Sequence, residues 1–107
     1  MTMPQRPFRF GVQVRNGDDA ASWVTNARRY EELGYAVVTM PDHFDEQLSP
    51  IPALQAVADA TSTIRVGALV FDNDYKHPVV LAKELATIDV LSGGRLDIGL
   101  GAGWMAT

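Results

Sequence analysis

The chain has 107 residues and no cysteine, so it carries no disulfide frame and no thiolate metal site. Its two histidines, His43 and His77, are too few for a histidine-rich metal centre. Positive charge is sparse: nine Lys and Arg against thirteen Asp and Glu leave a net charge of −4. The cations are scattered, with only Arg28 and Arg29 adjacent. This argues against a nucleic-acid partner held by phosphate neutralisation. No apolar run approaches the ~20 residues that span a bilayer. The first residues, MTMPQRPFRF, are polar and proline-broken, unlike a secretory leader. A cytoplasmic location with no membrane partner is the expectation. What remains is ordinary for a globular chain, with 47% hydrophobic and 21% charged residues. The length suffices for one modest domain with a core.

Periodicity divides the chain into alternating strands and helices. Phe8, Phe10, Val12 and Val14 alternate with Arg9, Gly11, Gln13 and Arg15, which predicts a strand. Asn16-Gly17 signals a turn, and Asp18 or Asp19 can cap the helix that follows. Trp23, Ala27 and Tyr30 mark the buried stripe of that helix, and Gly34 its stop. A second strand is expected over 36–40, ended by Pro41-Asp42, with a polar loop over 43–49. Ser49-Pro50 reads as a cap and a first-turn proline. Leu54, Val57, Ala58 and Thr61 give the second helix its inner face. Residues 65–71 form an apolar third strand, and 72–76 a loop. His77-Pro78 opens a third helix with Leu81, Leu85, Ile88 and Leu91 on one side, stopped by Gly93-Gly94. Leu96, Ile98 and Leu100 alternate with Asp97, Gly99 and Gly101 in a fourth strand.

The order β-α-β-α-β-α-β predicts an α/β fold with a parallel sheet. Pattern alone admits either a barrel or an open doubly wound sheet. One detail favours the barrel. In the first and fourth strands the large apolar residues share one side, and the other side is small or polar: Gly11 and Gln13, then Asp97, Gly99 and Gly101. The interior of a barrel takes that character near its catalytic end. Gln13 would then face a ligand; the plainer alternative is an edge-strand polar residue.

Few residues could carry chemistry. Asp42-His43 directly follows the second strand, where a histidine can exchange a proton near neutral pH. The same pair also reads as ordinary surface loop. His77 before a proline reads as a helix cap. Gly99, Gly101 and Gly103 are spaced G-x-G-x-G, which is not the dinucleotide fingerprint. Glycines at a strand end let a flat ligand or another backbone come close, which makes Gly101 a candidate contact. Trp104 could wall a pocket or belong to the core. Asp72, Asn73 and Asp74 supply too few oxygens for a hard-metal site and read as a solvated loop.

Taken in order, FRFGVQ, EELGY, MPDHF, RVGALVF, HPVVLAKELATIDVLSGGRL and GLGAGW resemble the luciferase-like monooxygenase superfamily. The similarity is greatest to its oxidoreductases that use the deazaflavin coenzyme F-420. The resemblance implies a TIM barrel, here its first four parallel strands, with F-420 or FMN across the C-terminal strand ends. Asp42 and His43 match the family's pair beside the ring system, with His43 the candidate proton-handling residue. Gln13 would lie at the pocket floor. Ala68, Leu69 and Val70 match the segment that backs the ring, which in many relatives bulges through a non-proline cis peptide, here Leu69-Val70. The glutamate acid that related sugar-phosphate dehydrogenases carry near GAGW is replaced by Ala102, which argues against their chemistry.

The same resemblance makes residues 1–107 the N-terminal half of such a barrel, ending after the fourth strand. It implies an oxidoreductase that moves a hydride, or inserts oxygen, on a small organic substrate, with activity that the short length could abolish. It also implies a homodimer or pairing with another barrel chain, because open strand edges and uncovered apolar surface favour association. The alternative is a non-catalytic fragment that associates with a full-length paralogue.

Overall fold

The computed structural model describes residues 7–102. Four strands alternate with three α-helices. They are β1 (Gly11–Gln13), α1 (Ala20–Glu32), β2 (Val37–Met40), α2 (Pro50–Ala60), β3 (Arg65–Asp72), α3 (Pro78–Leu91) and β4 (Leu96–Gly101). A single 3-10 turn, Asn73–Tyr75, lies between β3 and α3. The strands are parallel and adjacent in chain order, β1-β2-β3-β4. A doubly wound sheet reverses its strand order part-way; this one does not, which decides for the opening units of a barrel.

The register assigns each side chain to a face. Val12, Val38, Val66 and Leu96 align across the sheet, as do Met40, Ala68 and Ile98 in the next row towards the carboxyl ends. These rows face the helices. Val38, Met40, Val66, Ala68, Phe71 and Leu96 are buried against Trp23 and Ala27 of α1, Leu54 and Val57 of α2, and Leu81, Leu85 and Ile88 of α3. The opposite face carries Gly11, Gln13, Val37, Thr39, Arg65, Gly67, Asp97, Gly99 and Gly101. That is the small and polar side predicted from the alternation in the first and fourth strands.

Helix ends follow local chemistry. Asp19 accepts the amide of Ser22 at 2.7 Å and caps α1. Gly34 has φ +90° and ends the turn beyond it, a conformation that costs an L side chain energy. His77 Nδ1 accepts the amide of Val79 at 3.2 Å, so this histidine is the α3 cap.

Three expectations need correction. β1 begins at Gly11, not Phe8: Phe8 and Phe10 are 91% and 68% exposed. β2 pairs in register with residues 11–13 and accepts the Val14 amide at the Thr39 carbonyl, whereas Phe10 contributes just its carbonyl to the amide of Ala36. Ser49 stands at the α2 N-cap without a side-chain bond. A capping oxygen needs an amide two or three residues on, and Pro52 removes one of the two. Leu91 is exposed rather than on the inner face of α3: it is the last residue of the helix, and burial ends at Ile88.

Candidate active site at the carboxyl rim

Parallel strands bring their carboxyl ends to one rim. Gln13 ends β1, residues 41–49 follow β2, Asn73–Tyr75 follows β3, and Gly101 ends β4. In an α/β barrel this rim is where ligands bind.

The 41–49 loop is braced from both sides. On the β1 side, Arg15 Nη2 donates to Asp45 Oδ1 at 2.6 Å, and Asn16 Nδ2 donates to the Glu46 carbonyl at 2.6 Å. The Leu48 amide donates to the Arg15 carbonyl at 3.1 Å. On the β3 side, Asp42 Oδ2 accepts the amide of Asp72 at 2.9 Å. Inside the loop, Gln47 Nε2 donates to the carbonyls of Pro41 and Leu48. The hydrogen bond from Arg15 holds the Asp45 carboxyl below its ordinary value, with the charges of Arg15 and His43 adding to it. His43 is half-buried, beside a hollow of about 130 Å³ shared with Asp42, Phe44, Asp45 and Gln47.

The third strand end adds an aromatic contact. Tyr75 packs on Phe44 with ring centroids 4.2 Å apart and planes at 50°. Burial raises the Tyr75 phenol above its usual value, and Asp72, through its charge and a hydrogen bond, and the charges of Asp42 and Asp74 add to the rise.

Between Ala68 and Phe71 the register of β3 against β4 shifts. The Leu69-Val70 peptide is cis, at the position the resemblance implied. Ala68 points into the helix-side core, whereas Leu69 stands 65% exposed. Val70 leans over β4. A Cβ on Gly99 would lie 3.2 Å from Val70 Cγ1 and 3.2 Å from the Ala68 carbonyl. A Cβ on Gly101 would overlap Val70 Cγ2. The space left open by Gly101 is therefore filled by a neighbouring strand's side chain.

Of the expected site residues, Asp42 and His43 follow β2, Leu69 and Val70 form the β3 bulge, Gly101 ends β4 against Val70, and Gln13 is exposed at the end of β1. Ala68 does not join them, since its side chain is buried in the helix-side core. Phe44 and Tyr75 were not singled out from sequence. They lie on different loops, and no local spacing announces such a pair. Among the described residues no group of three His, Cys, Asp or Glu comes together to hold a metal ion, and no helix is long and apolar enough to cross a membrane.

The opposite rim is built for cohesion. Glu31 Oε2 accepts the amides of Ser62, Thr63 and Ile64 at 2.7–3.0 Å and the Thr63 hydroxyl at 3.2 Å. Burial would raise this carboxyl, but the amides of Thr63, Ile64 and Ser62 outweigh it and lower it to about 2. Arg95 donates to the carbonyls of Ala58, Thr61, Ile64 and Ser92 and to the Thr61 hydroxyl, closing the carboxyl end of α2. Arg65 and Asp97 pair at 2.8 Å on the inner face.

A sequence profile for the luciferase-like monooxygenases matches residues 6–107, nearly the whole chain. The chain belongs to the luciferase-like monooxygenase family. It is 31% identical over 98 residues to the 5,10-methylenetetrahydromethanopterin reductase of Methanopyrus kandleri, covering 92% of this chain and 28% of the reductase. The structure of a coenzyme F-420-dependent tetrahydromethanopterin reductase from the same organism superposes with a TM-score of 0.80 at 29% identity, over 89% of this chain and 27% of that one. The oxygenating constituent of a 3,6-diketocamphane monooxygenase from Pseudomonas putida, in complex with FMN, superposes with a TM-score of 0.81. At 19% identity, over 92% of this chain and 30% of that one, it shares the fold alone. This luciferase-like chain thus spans about a quarter of the length of the reductase it matches.

Proposed function

We propose that the carboxyl rim is the cofactor end of a luciferase-like oxidoreductase, with coenzyme F-420 as the first choice and FMN as the second. The observation that carries this reading is the hydrogen bond that ties the Asp42-His43 loop to β3 at Asp72, just past its bulge, in a chain of this family. The 31%-identical reductase and the F-420-dependent structure support the deazaflavin.

The residues present fit the ring portion of such a group. A flat conjugated ring needs an apolar backing and polar groups at its edge. Leu69 and Val70 offer the first, and Gln13 and His43 the second. Two cations of the rim loops, Arg15 and Lys76, are already paired with Asp45 and Glu84. A phosphate-bearing tail would therefore draw its contacts from outside these pairs. When bound, the group supplies a hydride carrier, or with dioxygen an oxygen donor, for a small organic substrate. His43 holds or delivers the accompanying proton at its imidazole. Asp42 fixes the loop on which His43 stands.

The test is a titration of the folded, monodisperse chain with oxidised and reduced F-420 and FMN, read by ligand fluorescence. Saturable binding at one site per chain or per dimer is expected, with His43→Ala removing turnover. A folded sample that binds neither ligand rejects this reading. A second reading, non-catalytic association with a full-length paralogue, is favoured by the apolar groove of about 500 Å³ between α3 and β4, lined by Leu81, Leu85, Ile98 and Leu100. It predicts association that His43→Ala leaves intact.

A further inference from the structure

We infer that Gly99 and Gly101 are positioning residues: they form a notch in β4 that seats Val70 and thereby fixes where the β3 bulge presents Leu69 to the rim.

The notch follows from the register. β3 and β4 pair regularly from Val66↔Leu96 to Ala68↔Ile98 and resume at Phe71↔Leu100 and Asp72↔Gly101. Two β3 residues, Leu69 and Val70, thus stand where β4 advances by one, Gly99. The surplus residue needs room, and β4 supplies it by lacking side chains at two successive inner-face positions. Val70 lies over both: Cγ1 is 3.2 Å from the Cβ position of Gly99, and its own Cβ is 3.5 Å from that of Gly101. Valine is stiff about χ1, so it cannot swing clear without cost. The other flank of the bulge is also held, because the Asp72 amide donates to Asp42 at 2.9 Å. Val70 is therefore pinned on one side and the strand end on the other. Leu69, immediately before Val70 in the bulge, is left 65% exposed at the rim.

This changes the role of the glycine run. Its small residues admit a side chain from the next strand, and the ligand meets what that side chain displaces. The inference rests on the cofactor reading for its ligand, and on packing alone for its geometry.

Three variants test it: Gly101→Ala, Val70→Ala and the double variant. Two measurements are made on each, F-420 and FMN titration by fluorescence and amide hydrogen exchange of the free chain. Gly101→Ala overfills the notch, so it weakens ligand binding by about tenfold or more. It also speeds exchange of the Asp72 amide. Val70→Ala in the same chain empties the notch again and restores the parent exchange at the Asp72 amide. Coupling of this kind is expected of residues in contact. Unchanged exchange at Asp72 in Gly101→Ala, or failure of the double variant to restore it, overturns the inference. If the parent chain binds neither ligand, the cofactor reading falls, and exchange alone decides the notch.

Discussion

Glu31 and Arg95 hold the amino-terminal rim without appearing in any hydrophobic pattern. Glu31 collects three successive amides in the turn before β3. Bonds from neutral donors to a charged acceptor are each worth about 1.5–3 kcal/mol, and these share one partly exposed oxygen. Glu31→Ala should therefore lower stability by about 2–3 kcal/mol in urea unfolding. The pH dependence has a definite sign. The folded carboxyl sits at about 2 against an ordinary 4.5, so its contribution is complete above about 4.5 and disappears as the pH falls towards 2. Glu31→Gln should flatten the acid limb of a stability-pH curve in that window. Arg95→Lys should cost about 2 kcal/mol or more by thermal unfolding, since one ammonium cannot span five acceptors that a planar fork reaches. Neither role was legible from one sequence, because both join residues about thirty positions apart. Asp19 and His77 were legible, because a cap bonds within three residues of itself.

At the scale of elements, the helices were read well and strand edges poorly. The 3.6-residue stripe of α1 and the inner face of α2 depend on local spacing, and the structure keeps both. The ends of β1 depend on its partner, and alternation in Phe8 and Phe10 continues past the point where β2 has residues to pair. The bulge in β3 is likewise invisible to periodicity: an apolar run such as RVGALVF looks continuous. It became visible only through the family resemblance. Its exposed residue gives a prediction at this scale. Leu69→Asp should weaken F-420 binding in the fluorescence titration by at least about tenfold. The melting temperature should stay near that of the parent, because the side chain is largely outside the core.

For the whole molecule, the alternation of elements gave a parallel sheet but left its strand order open, and which residues shared a side favoured the barrel's order. The uncovered part of the helix-facing side was not readable, since Ile98 and Leu100 fit the buried pattern yet stand 56% and 60% exposed. They line a groove with Leu81 and Leu85 that no described helix covers. Contiguous apolar surface of this kind drives association. Sedimentation velocity should show concentration-dependent self-association of the chain, and Ile98→Glu with Leu100→Gln should shift it towards monomer without loss of the near-ultraviolet spectrum. Arg15, Asn16 and Asp72 meanwhile anchor the histidine-bearing loop to its neighbours on both sides. Ordering a loop costs about 1–2 kcal/mol per residue, and here folding has already met that cost before any ligand arrives. Recognition at this rim should then resemble a key entering a set lock: fast association, little structural entropy lost, and an affinity governed by how long the ligand stays.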